Sequence, residues 1–296
     1  IMNLMNTYLD SSCKLCGLRN IRKYISSKDF RLKSSIDDHS LLNCNDCNFI
    51  FLNYKNAQGY LYSESFFLKI DFLTKINYFF WKKNIKSIKK KYFDNKKINI
   101  LDYGCGSGGL VKYLSKDFNI DGYDPFKQFS DNQKNFYHSI DSIDNKKYNL
   151  IILSHVIEHI VDLDLEIKAL ANLLDNNGII IFEIPNIKSL EYNLYKKYFF
   201  HLDLPRHLNF FNKDNISIFF KKKKFTKLSI NNGFTLVLAP FSPIKSTLFK
   251  LKNENVSIFK KIIILFCLPF LFFFFLFLNI FKINNSYFGG IYQLND

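Results

Sequence analysis

Between residues 97 and 124 the apolar positions of the chain change rhythm twice. "KINILDY" is short, rich in β-branched residues and preceded by a polar stretch, which predicts a buried parallel strand. "GLVKYLSKDF" follows with helical spacing, putting Leu110, Val111 and Leu114 on one side. "NIDGYD" then reads as a second strand ending at Asp124. Upstream, "SESFFLKIDFLTKINYFFWKKNIKSIKKKYF" lies in an expected helical connector over residues 61–95. Downstream, "IIILFCLPFLFFFFLFLNIF" at residues 262–281 contains no charge. As a helix it would be about 30 Å long, enough to span a bilayer. A helix buried in a protein core shows some polar face and this one shows almost none, so membrane contact is expected.

The loop between the first strand and its helix holds Gly104, Gly106, Gly108 and Gly109. Asp124 lies 20 residues beyond Gly104, the separation at which a carboxylate grips ribose hydroxyls. The glycines also satisfy G-x-G-x-x-G, which brings nicotinamide and flavin cofactors into consideration. Asp102 tips the balance away from them. A pyrophosphate docked on this loop would face an adjacent carboxylate, whereas a ligand carrying an ammonium group would welcome it. No phosphate-loop lysine follows, which disfavours a nucleoside triphosphate.

On Asp102, Gly104, Gly106 and Gly108 the chain resembles the class I S-adenosylmethionine-dependent methyltransferases, whose first motif is an acid followed by G-x-G-x-G. The resemblance covers most of residues 95–296 and implies an α/β fold with a Rossmann-like seven-stranded sheet. "KKYNLIILSHVIEHI" matches the fourth strand and the loop leaving it, and "LDLEIKALANLLDNNGIIIFEIPN" a helix, a break at Gly178 and a fifth strand. "NNGFTLVLAPF" fits the sixth strand and "YFGGIYQLND" an antiparallel seventh. The glycine loop would approach the methionine moiety, Asp124 would bind the ribose and Asp141, in "FYHSIDS", the adenine side. His155 joins the cofactor-binding set.

Open α/β sheets bind ligands at the carboxyl ends of their strands, so "SHVIEHI" lies where the methyl group is delivered. His159 is the candidate base and Glu158 the carboxylate that orients it. The plain alternative is that His159 packs beneath the cofactor. The E-H pair is similar to that of methyltransferases acting on sugars and small hydroxylated molecules. His155, Glu158 and His159 also spell the H-x-x-E-H zinc-peptidase signature, but His155 directly follows an apolar strand and the glycine loop would go unexplained. "HLDLPRHLNFF", residues 201–211, is similar to a family segment arching over the substrate pocket. There Arg206 and His207 are candidates for binding a substrate anion or assisting deprotonation, against a purely structural loop in which His207 bonds to backbone.

Cys13, Cys16, Cys44 and Cys47 form two C-x-x-C pairs separated by 27 residues. Two such turns make a tetrahedral sulfur cage for a structural zinc ion, and the polar segment between them has no core of its own to fold on. A redox C-x-x-C is the rival, though it need not be duplicated. "IMNLMNTYLDSSC" has no continuous apolar stretch of a secretory signal, so a reducing compartment is expected.

The net charge of +15 fits a phosphate-rich partner, but Lys, Asn, Ile and Phe are inflated together, which reads equally as solvated faces. Lys260 and Lys261 flank the apolar segment on one side and Lys282 on the other, suiting anionic headgroups. Pro269 inside the segment suggests a re-entrant or in-plane helical hairpin, since a single crossing would leave the last strand on the wrong side. The expected organisation is a zinc module at 8–60, the connector at 61–95, a methyltransferase core at 96–261, the hydrophobic insertion at 262–281 and the last strand at 282–296. The expected activity is methyl transfer to a sugar, lipid-linked or polysaccharide intermediate at the cytoplasmic membrane face. An RNA methyltransferase and a non-catalytic ligand-binding relative are the alternatives.

Overall fold

A computed structural model describes residues 12–30, 38–53, 72–126, 135–143, 145–222, 224–231, 233–234, 241–281, 283 and 285–295. The chain divides into two units that interleave along the sequence. A sheet unit comprises Tyr62–Ile184, Ile216–Thr235 and Phe288–Asp296, and a cysteine unit comprises Ile1–Leu61, Pro185–Asn215 and Leu236–Tyr287. The cysteine unit therefore extends beyond the N-terminal module foreseen in the sequence and draws in two later segments.

The sheet unit is built on parallel strands whose near-continuous apolar runs are covered on both faces. Its strands are β4 (Asn99–Tyr103), β5 (Asn119–Tyr123), β6 (Phe136–Tyr137), β7 (Tyr148–Ser154), β8 (Leu174–Pro185), β10 (Phe225–Asn231) and β11 (Tyr287–Leu294). They form one seven-stranded sheet in the order β10-β11-β8-β7-β4-β5-β6. β4 pairs in parallel with β5 and β7, β7 with β8 and β5 with β6, while β10 and β11 are antiparallel. Ile100, Leu150, Ile152, Ile179 and Ile181 are wholly buried in its core.

Helix α1 (Phe72–Tyr92) buries Trp81, Ile85 and Ile88 against this core, one face at helical spacing. Helix α2 (Gly109–Leu114) follows the glycine loop. Helix α3 (Leu163–Leu173) is capped by Asp162, whose Oδ1 accepts from the N–H groups of Asp164 and Leu165 at 3.0 and 2.9 Å.

Two expectations shift. The strand expected at "NNGFTLVLAPF" forms earlier, as β10, and residues 235–240 lie outside the described residues. Gly178 sits inside β8 instead of separating a helix from a strand. There the pairing with β7 jumps from Tyr148↔Leu174 to Leu150↔Ile179, so the extra residues are absorbed as an irregularity.

In the cysteine unit, β1 (Ile21–Ser27), β2 (His39–Cys44), β3 (Ile50–Leu52) and β9 (Asn209–Phe210) make an antiparallel sheet. Its core includes Leu41, Leu52, Tyr192, Phe199, Leu202 and Leu208. Helices α4 (Leu190–Tyr195), α6 (Phe241–Asn253), α7 (Ile258–Phe266) and α8 (Leu268–Ile280) complete it, with the short α5 (Ile216–Lys221) belonging to the sheet unit. Buried Glu191 of α4 accepts hydrogen bonds from Ser242 (2.5 Å) and Ser246 (2.9 Å) of α6 and from Ser286. Burial raises its carboxyl to about 7 against those three hydroxyls.

The apolar segment is two helices, with Pro269 in the first turn of the second, where its missing N–H costs nothing. No single described helix is long and apolar enough to cross a membrane, whereas α7 and α8 together pass by length and composition, bent by 45°. A bent pair of this kind is compatible with a broken span or with a re-entrant loop. α8 buries Phe275 and Asn279, while no residue of α7 is buried. Ile258, Phe259, Phe266 and Phe270 are 73–85% exposed, and Phe273, Phe277 and Phe281 are exposed as well.

Candidate active site and cysteine centre

The glycine loop leaves β4 at the carboxyl end of the sheet. Gly104 has φ +78° and a Cβ there would come 2.6 Å from Val156; Gly108 has φ +73° and a Cβ would strike the Phe136 ring at 2.2 Å. Both positions therefore demand glycine, for conformation and for space. Asp124, at the end of β5, is buried and ties the loop down. Its Oδ2 accepts from the Gly106 N–H at 2.8 Å and its Oδ1 from the Phe126 N–H at 3.0 Å. Asp102 is buried at 3% exposure. Burial first, and the Asp124 charge second, raise its carboxyl to about 7. Two neighbouring buried carboxylates suit a cationic ligand bearing hydroxyls, and they disfavour a pyrophosphate.

The structure thus gathers Asp102, Gly104, Gly106, Gly108 and Asp124 at one end of β4 and β5. Asp141 lies in a 3-10 turn (Ile140–Ile143) after β6, exposed, with its charge reaching Tyr123.

The loop after β7 turns sharply at His155, whose φ is +58°. Its N–H donates to the Glu183 carbonyl at 2.9 Å. Its ring lies between two carboxylates, with Nδ1 3.1 Å from Glu158 Oε1 and Nε2 3.6 Å from Glu183 Oε1. Burial alone would lower the imidazole pKa, but the two glutamates outweigh it and raise it to about 10. The two glutamates therefore favour the protonated form of His155. Glu158 is 1% exposed and engages His155, while His159, half-buried, closes the 3-10 turn Ile157–His159. Glu183, wholly buried, also accepts from the Phe234 N–H. Sequence reasoning missed Glu183, although a single acid inside the apolar run "IIIFEIP" was its signal.

His207 lies in the cysteine unit, buried, with Nδ1 2.8 Å from the His201 carbonyl and Nε2 3.9 Å from Asp203 Oδ2. Arg206 corrects the expectation of a substrate-binding cation. It is 0% exposed. Its Nη1 and Nη2 each donate to Asp29 at 2.9 Å, and Nε and Nη2 donate to Asp203 Oδ1 at 3.1 and 2.5 Å. Its donors are spent on fixing this loop to the segment after β1.

Cys13, Cys16, Cys44 and Cys47 converge, with their sulfurs all within 4.8 Å of one another. The two turns are built alike. Gly17 and Asn48 donate their N–H groups to the Cys13 and Cys44 carbonyls, while the N–H groups of Cys13 and Cys44 donate to the Leu18 and Phe49 carbonyls. Gly17 and Asn48 both take positive φ, +79° and +54°. Cys13–Cys47 and Cys16–Cys44 are 3.7 and 3.6 Å apart. A disulfide would need about 2.05 Å, whereas four thiolates at about 2.3 Å from a central zinc stand roughly 3.8 Å apart. Burial pushes the Cys13 thiol up to about 11 and also raises Cys47. Thiolates this close ionise together around a cation. Asn215 anchors the second turn, donating from Nδ2 to the Asn48 carbonyl at 3.0 Å.

The chain matches the family described as "Methyltransferase domain" over residues 75–230, more than half its length. It is similar to the ubiquinone biosynthesis O-methyltransferase of Rickettsia prowazekii, 32% identical over 115 residues, which are 34% of this chain and 46% of that protein. The Rickettsia typhi counterpart is 33% identical over 115 residues, 34% of this chain and 47% of that one. The chain thus spans about half the length of the curated relatives it matches. Among solved structures, the plantazolicin methyltransferase BpumL in complex with SAH is 17% identical, with 75% of this chain and 86% of that one covered and a TM-score of 0.47. An S-adenosylmethionine-dependent methyltransferase from Clostridium acetobutylicum is 16% identical, with 77% and 94% covered and a TM-score of 0.43. With the family match laid over a sheet that ends in an acid, a glycine loop and a second acid, the chain belongs to the class I S-adenosylmethionine-dependent methyltransferases.

Proposed function

We propose that the enzyme transfers a methyl group from S-adenosylmethionine to a hydroxyl of a lipid-linked acceptor at a membrane surface. The observation that carries this reading is the exposed apolar face of α7 and α8, where Ile258, Phe259, Phe266 and Phe270 meet solvent. A contiguous apolar surface of this kind needs a partner. Among the expected acceptors, a free sugar or polysaccharide offers it none, and a lipid-linked molecule does. The relatives named for ubiquinone biosynthesis are O-methyltransferases, which supports oxygen as the acceptor atom.

Bound S-adenosylmethionine supplies an electrophilic methyl group on a good leaving group. Asp102, the Gly104–Gly108 backbone and Asp124 would hold the cofactor, Asp102 through the cofactor's positive charge and Asp124 through its ribose, while Asp124 holds the loop. His159 would accept the acceptor's proton, whereas Glu158 and Glu183 favour the protonated form of His155. Zinc held by the four cysteines would be structural, and free thiolates of this kind support a reducing compartment, on the cytoplasmic side of the membrane.

The test is a transfer assay with methyl-labelled S-adenosylmethionine and total cell extract, partitioned into organic and aqueous phases. Label should enter the organic phase, His159→Ala should abolish it, and Ile258→Ser/Phe266→Ser/Phe270→Ser should release the protein from sedimenting vesicles. Label confined to aqueous products would refute the lipid-linked acceptor.

A further inference from the structure

The sheet unit carries a concave feature whose lining includes none of Asp102, Gly104, Gly106, Gly108, Asp124 or His159. An open cavity of about 380 Å³ lies between α1 and α2, lined by Lys75, Tyr78 and Lys82 on one side and by Lys112, Tyr113 and Lys116 on the other. That volume is in the range of small-ligand sites. On α1, Lys75, Lys82, Lys86 and Lys89 recur at i, i+7, i+11 and i+14, one stripe along the helix. The Tyr78 and Tyr113 rings are 5.7 Å apart, tilted by 46°, and give the cavity two aromatic walls. Gly109, at the start of α2, lines it without a side chain.

The charge inside is unbalanced. Asp117 is the carboxylate lining the cavity, and it pairs with Lys82 at 2.5 Å. That hydrogen bond first, and then the charges of Lys82, Lys86 and Lys116, hold its carboxyl below the usual range. Outside the cavity, Lys146, Lys188 and Lys222 each pair with one acid, Asp121, Asp214 and Asp164. Here four lysines line the cavity beside one carboxylate, which pairs with Lys82. Generic lysine enrichment explains exposed lysines, but not their convergence from two helices onto one concavity.

We propose that this cavity binds a phosphomonoester or diphosphate group. Compact, mobile ammonium groups suit the several oxygens of such an anion as point charges. The aromatic walls can cover whatever apolar or planar group the phosphate is attached to.

Calorimetry of the full chain with inorganic pyrophosphate and with glycerol 3-phosphate tests this, alongside sedimentation with phosphatidylcholine vesicles with and without phosphatidylglycerol. Lys112→Gln/Lys116→Gln should weaken binding by about tenfold or more. Lys221→Gln/Lys227→Gln, which removes the same charge from exposed positions, should leave it unchanged, and circular dichroism should show both variants folded. Lysine-dependent binding of the soluble anions identifies a free phosphorylated ligand. The same dependence with phosphatidylglycerol vesicles alone identifies a lipid headgroup. Two results would overturn the proposal: binding of neither the soluble anions nor the anionic vesicles, or equal loss in both variants.

Discussion

Arg206 offers the sharpest test of how the cysteine unit is held together, because the sequence offers it as a ligand-binding cation and the structure buries it. Its guanidinium engages Asp29, 3% exposed, and Asp203, 7% exposed, through four donor contacts between 2.5 and 3.1 Å. Replacing it with methionine preserves much of the volume but leaves two buried carboxylates without their cation. Removing one partner of a buried ion pair costs about 3–5 kcal/mol, and Arg206→Met should fall in that range. Arg206→Lys restores the charge without the two-pronged fork and should cost roughly 1–3 kcal/mol. In Asp29→Asn/Asp203→Asn/Arg206→Met, which removes the stranded charges as well, much of the loss should return. Urea unfolding should be followed by circular dichroism or by hydrogen exchange in β1–β3, since the single tryptophan, Trp81, lies in the sheet unit and reports elsewhere. A loss below about 1 kcal/mol in Arg206→Met, or full stability with lost acceptor turnover, would refute the buried-clamp reading and return Arg206 to the substrate.

Three further outcomes are expected. The His155 imidazole is raised from 6.5 to about 10 in the folded chain, so the stability it contributes is complete below about pH 6.5 and declines as pH rises towards 10; urea midpoints at several pH values should show that decline in the wild type and lose it in His155→Gln. Asp102, raised to about 7, is partly protonated in the free enzyme near neutrality; S-adenosylmethionine binding should release protons and tighten as pH rises through 7, and calorimetry in buffers of different ionisation enthalpy should find this in the wild type and not in Asp102→Asn. The four cysteines should hold one zinc per chain; a thiol-reactive chelation assay should release it, lower the thermal midpoint and find none in Cys13→Ser/Cys47→Ser, whereas an intact stoichiometric disulfide content would refute the metal centre.

Much of the sheet unit was legible beforehand because its determinants are local. Buried parallel strands such as β4 and β7 announce themselves as apolar runs, and the glycines at 104 and 108 stand where no other residue fits. The C-x-x-C pairs likewise carry their turn geometry in a few consecutive residues. What the sequence could not disclose were the long-range partners. Arg206 meets Asp29 across 177 positions, β3 takes β9 as its edge strand, and Glu191 collects serines from two distant segments. The roles within "SHVIEHI" were also decided in three dimensions. His155 and His159 look alike in one dimension, and only the arrival of Glu183 from β8 sets the surroundings of His155 apart. Charge state depends on the neighbours that folding supplies and on the water it removes, and neither is written in the spacing of residues along the chain.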